Sequence, residues 1–132
     1  MKKTCSLIMV KPDAIERKLV DEIETRLSGY GLQITRRKEV IIDRKTILRL
    51  WPGIFRQTTL ERSFNYLGGI PLPIWLVTGP DAVELALQVK TEMRALYCTD
   101  KLHTLFHCPD AEEDFAREYE IFFVGEQLLE LS

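Results

Sequence analysis

A continuous apolar run of strand length, Ser6–Val10, ends abruptly at the sequence Lys11-Pro12-Asp13. A short apolar run closed by proline is typical of a β-strand, because proline lacks the amide hydrogen that would continue a sheet. The sequence therefore predicts that Lys11 projects from a strand end, where ligands commonly bind. Taken alone, such a lysine is more often a solvated residue that protects a strand edge.

The apolar patterns that follow alternate between helical and strand periods. Helices are predicted over Leu19–Tyr30, Arg44–Leu50, Leu60–Leu67, Ala82–Leu96 and from Asp110 to about Phe123, and strands over Leu32–Ile42, Pro73–Val77 and Leu102–Phe106. Asp110 with Glu113 resembles a capping box at the start of the last helix. No repeat or linker interrupts the chain, so residues 1–132 are expected to form one domain.

This order of elements predicts an α+β fold of the ferredoxin-like type. Such a fold is an α/β sandwich with a four-stranded antiparallel sheet, and we expect its helices to pack mainly on one face. A flavodoxin-like sheet is the structural alternative, but it would need more strand–helix units than 132 residues provide here.

Composition excludes several classes of partner. The net charge is −2, so there is no global basic field to attract nucleic acid or an anionic membrane. Only four clearly apolar residues precede Lys11, too few for a signal peptide or a bilayer span. The three cysteines form no Cys-x-x-Cys pair, which favours a reduced, cytoplasmic setting over disulfides. Zinc is disfavoured because His103, His107 and Cys108 lack the spacing of a structural zinc site.

His107 stands at the end of the fourth predicted strand, just before the last predicted helix. A neutral imidazole there can act as a nucleophile, and a nearby lysine and helix N-terminus can stabilise anionic oxygens. In a strand over 102–107, His103 and His107 would share one face. The alternative is an ordinary surface or core histidine.

Three further side chains could serve such a site. Glu118, within the last helix, could hydrogen-bond the second ring nitrogen of His107 and fix its tautomer. Arg94 and Thr99, at and after the end of the fourth predicted helix, could hold phosphate oxygens. The alternatives are an exposed acidic helix face for Glu118 and a helix-dipole contact for Arg94, which is the more frequent case.

Taken together, these residues resemble the nucleoside diphosphate kinase family. The most specific match is the stretch Leu7–Val20, with its strand, Lys-Pro-Asp turn and Arg-x-Leu-Val start of a helix. The likeness continues weakly through Gly31-Leu32 and Lys90-Thr91 and resumes at Phe106-His107 and Glu118. The resemblance implies a ferredoxin-like α/β sandwich, in agreement with the predicted order of elements.

The resemblance also implies an activity: transfer of the γ-phosphate of ATP or another nucleoside triphosphate to a nucleoside diphosphate. The route is ping-pong through phosphohistidine, with Mg²⁺ carried by the nucleotide phosphates and no metal held by the protein. By resemblance, His107 is the nucleophile, Glu118 orients it, Lys11 contacts the transferred phosphate, and Arg94 and Thr99 hold the other phosphates. Family members assemble as dimers or larger homo-oligomers, so a dimer is the expected minimum.

The chain departs from the family pattern around the nucleotide. Residues that differ from the family's are Trp51 in place of tyrosine, Thr59 in place of the base-stacking phenylalanine, His103 in place of arginine, Thr104 in place of asparagine, and Cys108-Pro109 in place of glycine-serine. Between Thr99 and His103 a longer family segment with a phosphate-binding arginine is missing, and Lys101 could replace some of its charge.

These departures predict weak nucleotide affinity or an altered substrate, because each lost contact removes on the order of 1–3 kcal/mol of binding. Two other functions stay open at this point. One is a nucleotide-binding or scaffold module without turnover. The other is a phosphohistidine kinase with a different acceptor.

Overall fold

The structure is a computed structural model that describes residues 3–98, 100 and 102–124. Its strands form one antiparallel sheet in the order β2-β3-β1-β4. The strands are β1 Lys3–Val10, β2 Gln33–Ile41, β3 Pro71–Pro80 and β4 Phe106–His107. In the register, Leu7 lies opposite Leu76 of β3, and Met9 lies opposite His107 of β4. The predicted ferredoxin-like α+β sandwich is confirmed.

Helices connect the strands. They are α1 Pro12–Glu16, α2 Val20–Gly29, α3 Arg44–Leu50, α4 Gln57–Leu67, α5 Ala82–Tyr97 and α6 Glu112–Tyr119, which continues into a π-helical segment, Glu120–Val124. The short helix α1 is not predicted by the sequence pattern, which shows only a turn there. Pro12 stands in its first turn, where a missing amide hydrogen costs nothing.

The helices cover both faces of the sheet, so the prediction that they pack mainly on one face is wrong. Ile8 and Val10 point into a core formed with α2 and α5. Leu7 and Met9 point into a second core formed with α3, α4 and the π-helical segment. All four side chains are fully buried. The physical reason is the unbroken apolar run of β1, which leaves no face of the strand that could tolerate water.

β4 is much shorter than predicted, and residues 102–105 are not a strand. Leu105 has a φ of +73°, a left-handed conformation that interrupts any extended run. Upstream, the Asp100 carboxylate accepts hydrogen bonds from the backbone N–H groups of Leu102 and His103. These amides are therefore occupied in a side-chain turn and cannot pair with β1.

The predicted capping box of the last helix is also wrong. α6 begins at Glu112, and its N-cap is Ala111, which has extended φ and ψ and makes no side-chain cap. Asp110 therefore lies one residue too early to cap the helix. The prediction that Asp110 opens this helix misses the start by two residues.

The described part of the chain contains no helix that is both long enough and apolar enough to cross a bilayer. Cys5, Cys98 and Cys108 are all free, and Cys108 is buried in the core beside α5.

Candidate functional site

A cavity of about 600 Å³ lies at the end of β1, where the two helical layers diverge. The segment after α3 forms one wall, α5 supplies a second, and α6 supplies a third. His107, at the end of β4 and opposite Met9 of β1, and Lys11, directly after β1, both line this cavity. The two strand ends singled out by the sequence therefore open into one space.

His107 is held by the buried carboxylate of Glu118. Its Nε2 lies 2.8 Å from Oε1 of Glu118, and the two side chains are 12% and 1% exposed. An ionised carboxylate can only accept a hydrogen bond, so Nε2 carries the proton and Nδ1 keeps its lone pair. Nδ1 has no hydrogen-bond partner among the described residues. The ring of Trp51 packs edge-on against the imidazole at a centroid distance of 5.1 Å.

Lys11 is anchored to the segment that precedes β4. Its ammonium donates to Oγ1 of Thr104 at 2.9 Å and to the carbonyl of Leu102 at 3.2 Å. Burial, together with the positive charges of Lys90 and Arg94, lowers the pKa of Lys11 to about 8. Lys11 therefore lines the cavity as a cation that loses its proton at a lower pH than an ordinary lysine does.

Asp13 ties the same segment to α4. One carboxylate oxygen accepts the backbone N–H of Leu105 at 3.0 Å, and the other accepts the hydroxyl of Tyr66. Burial and this hydrogen bond raise the pKa of the Tyr66 phenol. The network fixes the left-handed Leu105 two residues before His107, so it sets the direction in which β4 leaves the turn.

Two cations of the cavity, Lys90 and Arg117, are not predicted by the sequence pattern. Arg117 donates to the carbonyl of Leu50 at 3.3 Å, pairs with Asp114 at 3.1 Å, and lies 4.0 Å from the second carboxylate oxygen of Glu118. Their positions in the sequence could have identified them. Lys90 precedes Arg94 by one helical turn, and Arg117 directly precedes Glu118.

Most of the predicted site residues meet in the cavity. Those that line it are Lys11, Trp51, Arg94, Thr104, His107 and Glu118. Thr59 lies in α4 and is not among the lining residues. Thr99 and Lys101 lie outside the described residues. His103, the other histidine, does not line the cavity; it pairs with Asp100 and packs against Tyr66.

Residues 4–128 match the family model of nucleoside diphosphate kinases. The chain belongs to the nucleoside diphosphate kinase family. A nucleoside diphosphate kinase of Sulfurisphaera tokodaii is 31% identical over 134 aligned positions, which cover 94% of this chain and 91% of the relative. One from Ignicoccus hospitalis is 29% identical and covers 93% of this chain and 90% of its own.

Solved structures of the family share the fold. The halophilic nucleoside diphosphate kinase of Halobacterium salinarum, in complex with CDP, superposes with a TM-score of 0.80 at 24% identity, covering 93% of this chain and 89% of that one. The Aquifex aeolicus nucleoside diphosphate kinase gives 0.79 at 22% identity, with 94% and 97% covered.

Family membership and fold support nucleoside diphosphate kinase function, so the chain is an enzyme of the phosphotransferase class. No observation favours a scaffold module without turnover or a kinase with a different acceptor.

Proposed function

We propose that this nucleoside diphosphate kinase works by a ping-pong route through phosphohistidine at His107. The observation that carries the proposal is the pairing of Nε2 with Glu118, which leaves Nδ1 as the nitrogen with an available lone pair in a cavity lined by cations. A nucleophile needs such a lone pair, and an anionic phosphoryl group needs the cations.

The two half-reactions are mirror images. In the first, Nδ1 of His107 attacks the γ-phosphorus, the bond from that phosphorus to its bridging oxygen breaks, and a nucleoside diphosphate leaves. In the second, a terminal oxygen of another nucleoside diphosphate attacks the same phosphorus, and the phosphorus–nitrogen bond breaks. The proton on Nε2 stays hydrogen-bonded to Glu118 throughout, and the carboxylate stabilises the positive charge that the ring gains on phosphorylation.

Lys11 contacts the transferred phosphoryl group in this proposal, with Thr104 holding its ammonium in place. Arg94 holds another phosphate from α5, since its guanidinium presents several donors in a fixed plane. Thr99 and Lys101 remain predicted phosphate ligands on the basis of sequence alone.

We propose that the substrates are ATP and other nucleoside di- and triphosphates. Mg²⁺ enters with the nucleotide phosphates, as part of the substrate. Over residues 3–98, 100 and 102–124, no three His, Cys, Asp or Glu side chains are grouped to hold a metal ion themselves. Trp51, beside the imidazole, would contact the nucleotide, and a base contact by Thr59 remains a prediction from sequence.

The test is phosphorylation of the protein by γ-labelled ATP with Mg²⁺. We expect an acid-labile, base-stable label that is absent from His107→Ala. The matched control is His103→Ala, because the chain has only two histidines and His103, whose side chain is 48% exposed, does not line the cavity. A label that persists without His107, or a wild-type protein that takes up none, would overturn the proposal.

We also propose that the protein forms homo-oligomers, with a dimer as the minimum. β2 is an edge strand of nine residues, and its last residue, Ile41, is 63% exposed, so it offers a surface for a second copy. A monomer in light scattering would contradict this. The free cysteines support a cytoplasmic location, and the net charge of −2 supports the absence of a nucleic-acid partner.

A further inference from the structure

α5 presents two cations to the same wall of the cavity. Lys90 and Arg94 are one helical turn apart, on neighbouring positions of one helix face, and both line the cavity. Val89 and Met93, next to them in sequence, are fully buried, so the helix is fixed in rotation by its core contacts. Within the described part of the chain, neither cation has a hydrogen-bond or ion-pair partner.

The charge of Lys90 acts on both strand ends of the site. Among charged groups, it has the largest effect on the pKa of Lys11, which follows β1. It also acts on the thiol of Cys108, which directly follows His107. The ammonium of Lys90 therefore lies near Lys11 and near Cys108, the residue that follows the proposed nucleophile His107. Like charges placed together repel, and a bound anion would relieve that repulsion.

The opposite side of the cavity carries more acidic than basic side chains, and Arg117, which lines it there, is paired with Asp114. Asp110 and Asp114 line it there, and the first turn of α6 also carries Glu112 and Glu113. These carboxylates repel a polyphosphate and offset the positive end of the helix. A nucleotide's phosphates are thus directed to the α5 side, where Lys11, Lys90 and Arg94 together offer three positive charges.

We propose that Lys90 is a phosphate-binding residue, which acts with Lys11 and Arg94 on the di- or triphosphate of the nucleotide. This proposal rests on the nucleotide function proposed above and assigns a role to a side chain that the family resemblance does not. Lys90 supplies its charge from within α5, whereas Arg117, the cation on the α6 side, is already paired with Asp114.

Isothermal titration calorimetry of Lys90→Met with Mg·ADP and with AMP tests the proposal. The titrations are run at pH 6.5, below the Lys11 pKa of about 8, so Lys11 is protonated in both proteins. A change in ADP affinity then cannot come from a change in the protonation of Lys11. We expect ADP to bind about 10- to 100-fold more weakly, the range for a lost charge-assisted contact, and AMP to lose less. Lys90→Arg should restore most of the ADP affinity.

Lys45→Met is the matched control, because Lys45 is an exposed lysine of α3 that does not line the cavity. Thermal melting verifies that each variant folds. Unchanged ADP affinity in Lys90→Met, or equal losses for ADP and AMP, would overturn the role of Lys90 while labelling of His107 still stood. Weakened ADP binding in a protein that ATP does not label would instead overturn the phosphohistidine proposal and support the role of Lys90.

Discussion

The Nε2 atom of His107 lies 2.8 Å from Oε1 of Glu118, and the glutamate is almost completely buried. This contact selects which ring nitrogen holds the proton, and so it selects Nδ1 as the nitrogen that can attack. The tautomer that an attack on phosphorus requires is therefore already set before any nucleotide binds.

Replacing Glu118 by Gln should slow phosphorylation of His107 by on the order of 10²- to 10⁴-fold, because an amide can donate to Nε2 and favour the wrong tautomer. Rapid-quench measurement of the labelled protein gives the rate. Glu113→Gln changes an exposed glutamate of the same helix and should leave it unaltered. Equal rates for Glu118→Gln and wild type would show that the contact does not set the tautomer.

The lowered pKa of Lys11 predicts an alkaline limit to activity. In the free enzyme the ammonium loses its proton as the pH rises through about 8, so kcat/KM for Mg·ATP should then fall about tenfold per pH unit. Lys11→Arg, which stays charged, should be less active but flat over this range. A wild-type profile without a decline between pH 7.5 and about 9.5 would refute the prediction.

The same pKa shift has a consequence for stability. The folded pKa lies below the ordinary value of 10.5, so the folded chain binds fewer protons than the unfolded chain between pH 8 and 10.5. The contribution of Lys11 to the free energy of unfolding should therefore rise with pH in that window. Urea unfolding of wild type and Lys11→Met across the window isolates this term. A difference between the two that does not change with pH would contradict it.

Thr104→Val removes the hydroxyl that accepts a hydrogen bond from Lys11 while keeping the side-chain shape. The buried ammonium then retains only the carbonyl of Leu102, so we expect the free energy of unfolding to fall by about 1–3 kcal/mol. Thr58→Val, at an exposed position of α4, should cost much less. Urea denaturation gives both values, and similar losses would argue against a structural role for the contact.

Tyr66→Phe deletes the hydroxyl that donates to the buried carboxylate of Asp13. Because an unsatisfied buried charge is costly, the free energy of unfolding should fall by about 1–3 kcal/mol. The nucleotide affinity should also weaken, since Asp13 holds the turn before β4. Tyr97→Phe, which loses a hydrogen bond to Glu22 near the surface, should cost much less. Comparable losses in both variants would show that the hydrogen bond from Tyr66 to Asp13 has no particular importance for stability.

The local part of the fold could be predicted from the sequence. Apolar period and length identified β1 and placed α2, α3 and α5 within a few residues, because these elements bury a regular face. The family resemblance rests on the stretch Leu7–Val20, where a strand, a proline turn and a helix follow each other without a long-range contact. His107 and Glu118 could likewise be chosen from their residue types and order.

Tertiary structure decided the conformation of the turn before β4 and the set of cations in the cavity. The left-handed Leu105 is held by the hydrogen bond from its amide to Asp13, 92 positions away in the sequence, which no local propensity encodes. Lys90 became a cavity residue only because α5 packs beside β1 and turns that side chain toward Lys11. The sequence by itself determined β1, α2, α3 and α5 and singled out His107 as the proposed nucleophile, because these follow from short-range periodicity and residue chemistry. The shape and charge of the site came from contacts between residues far apart in the chain, and only packing brings those together.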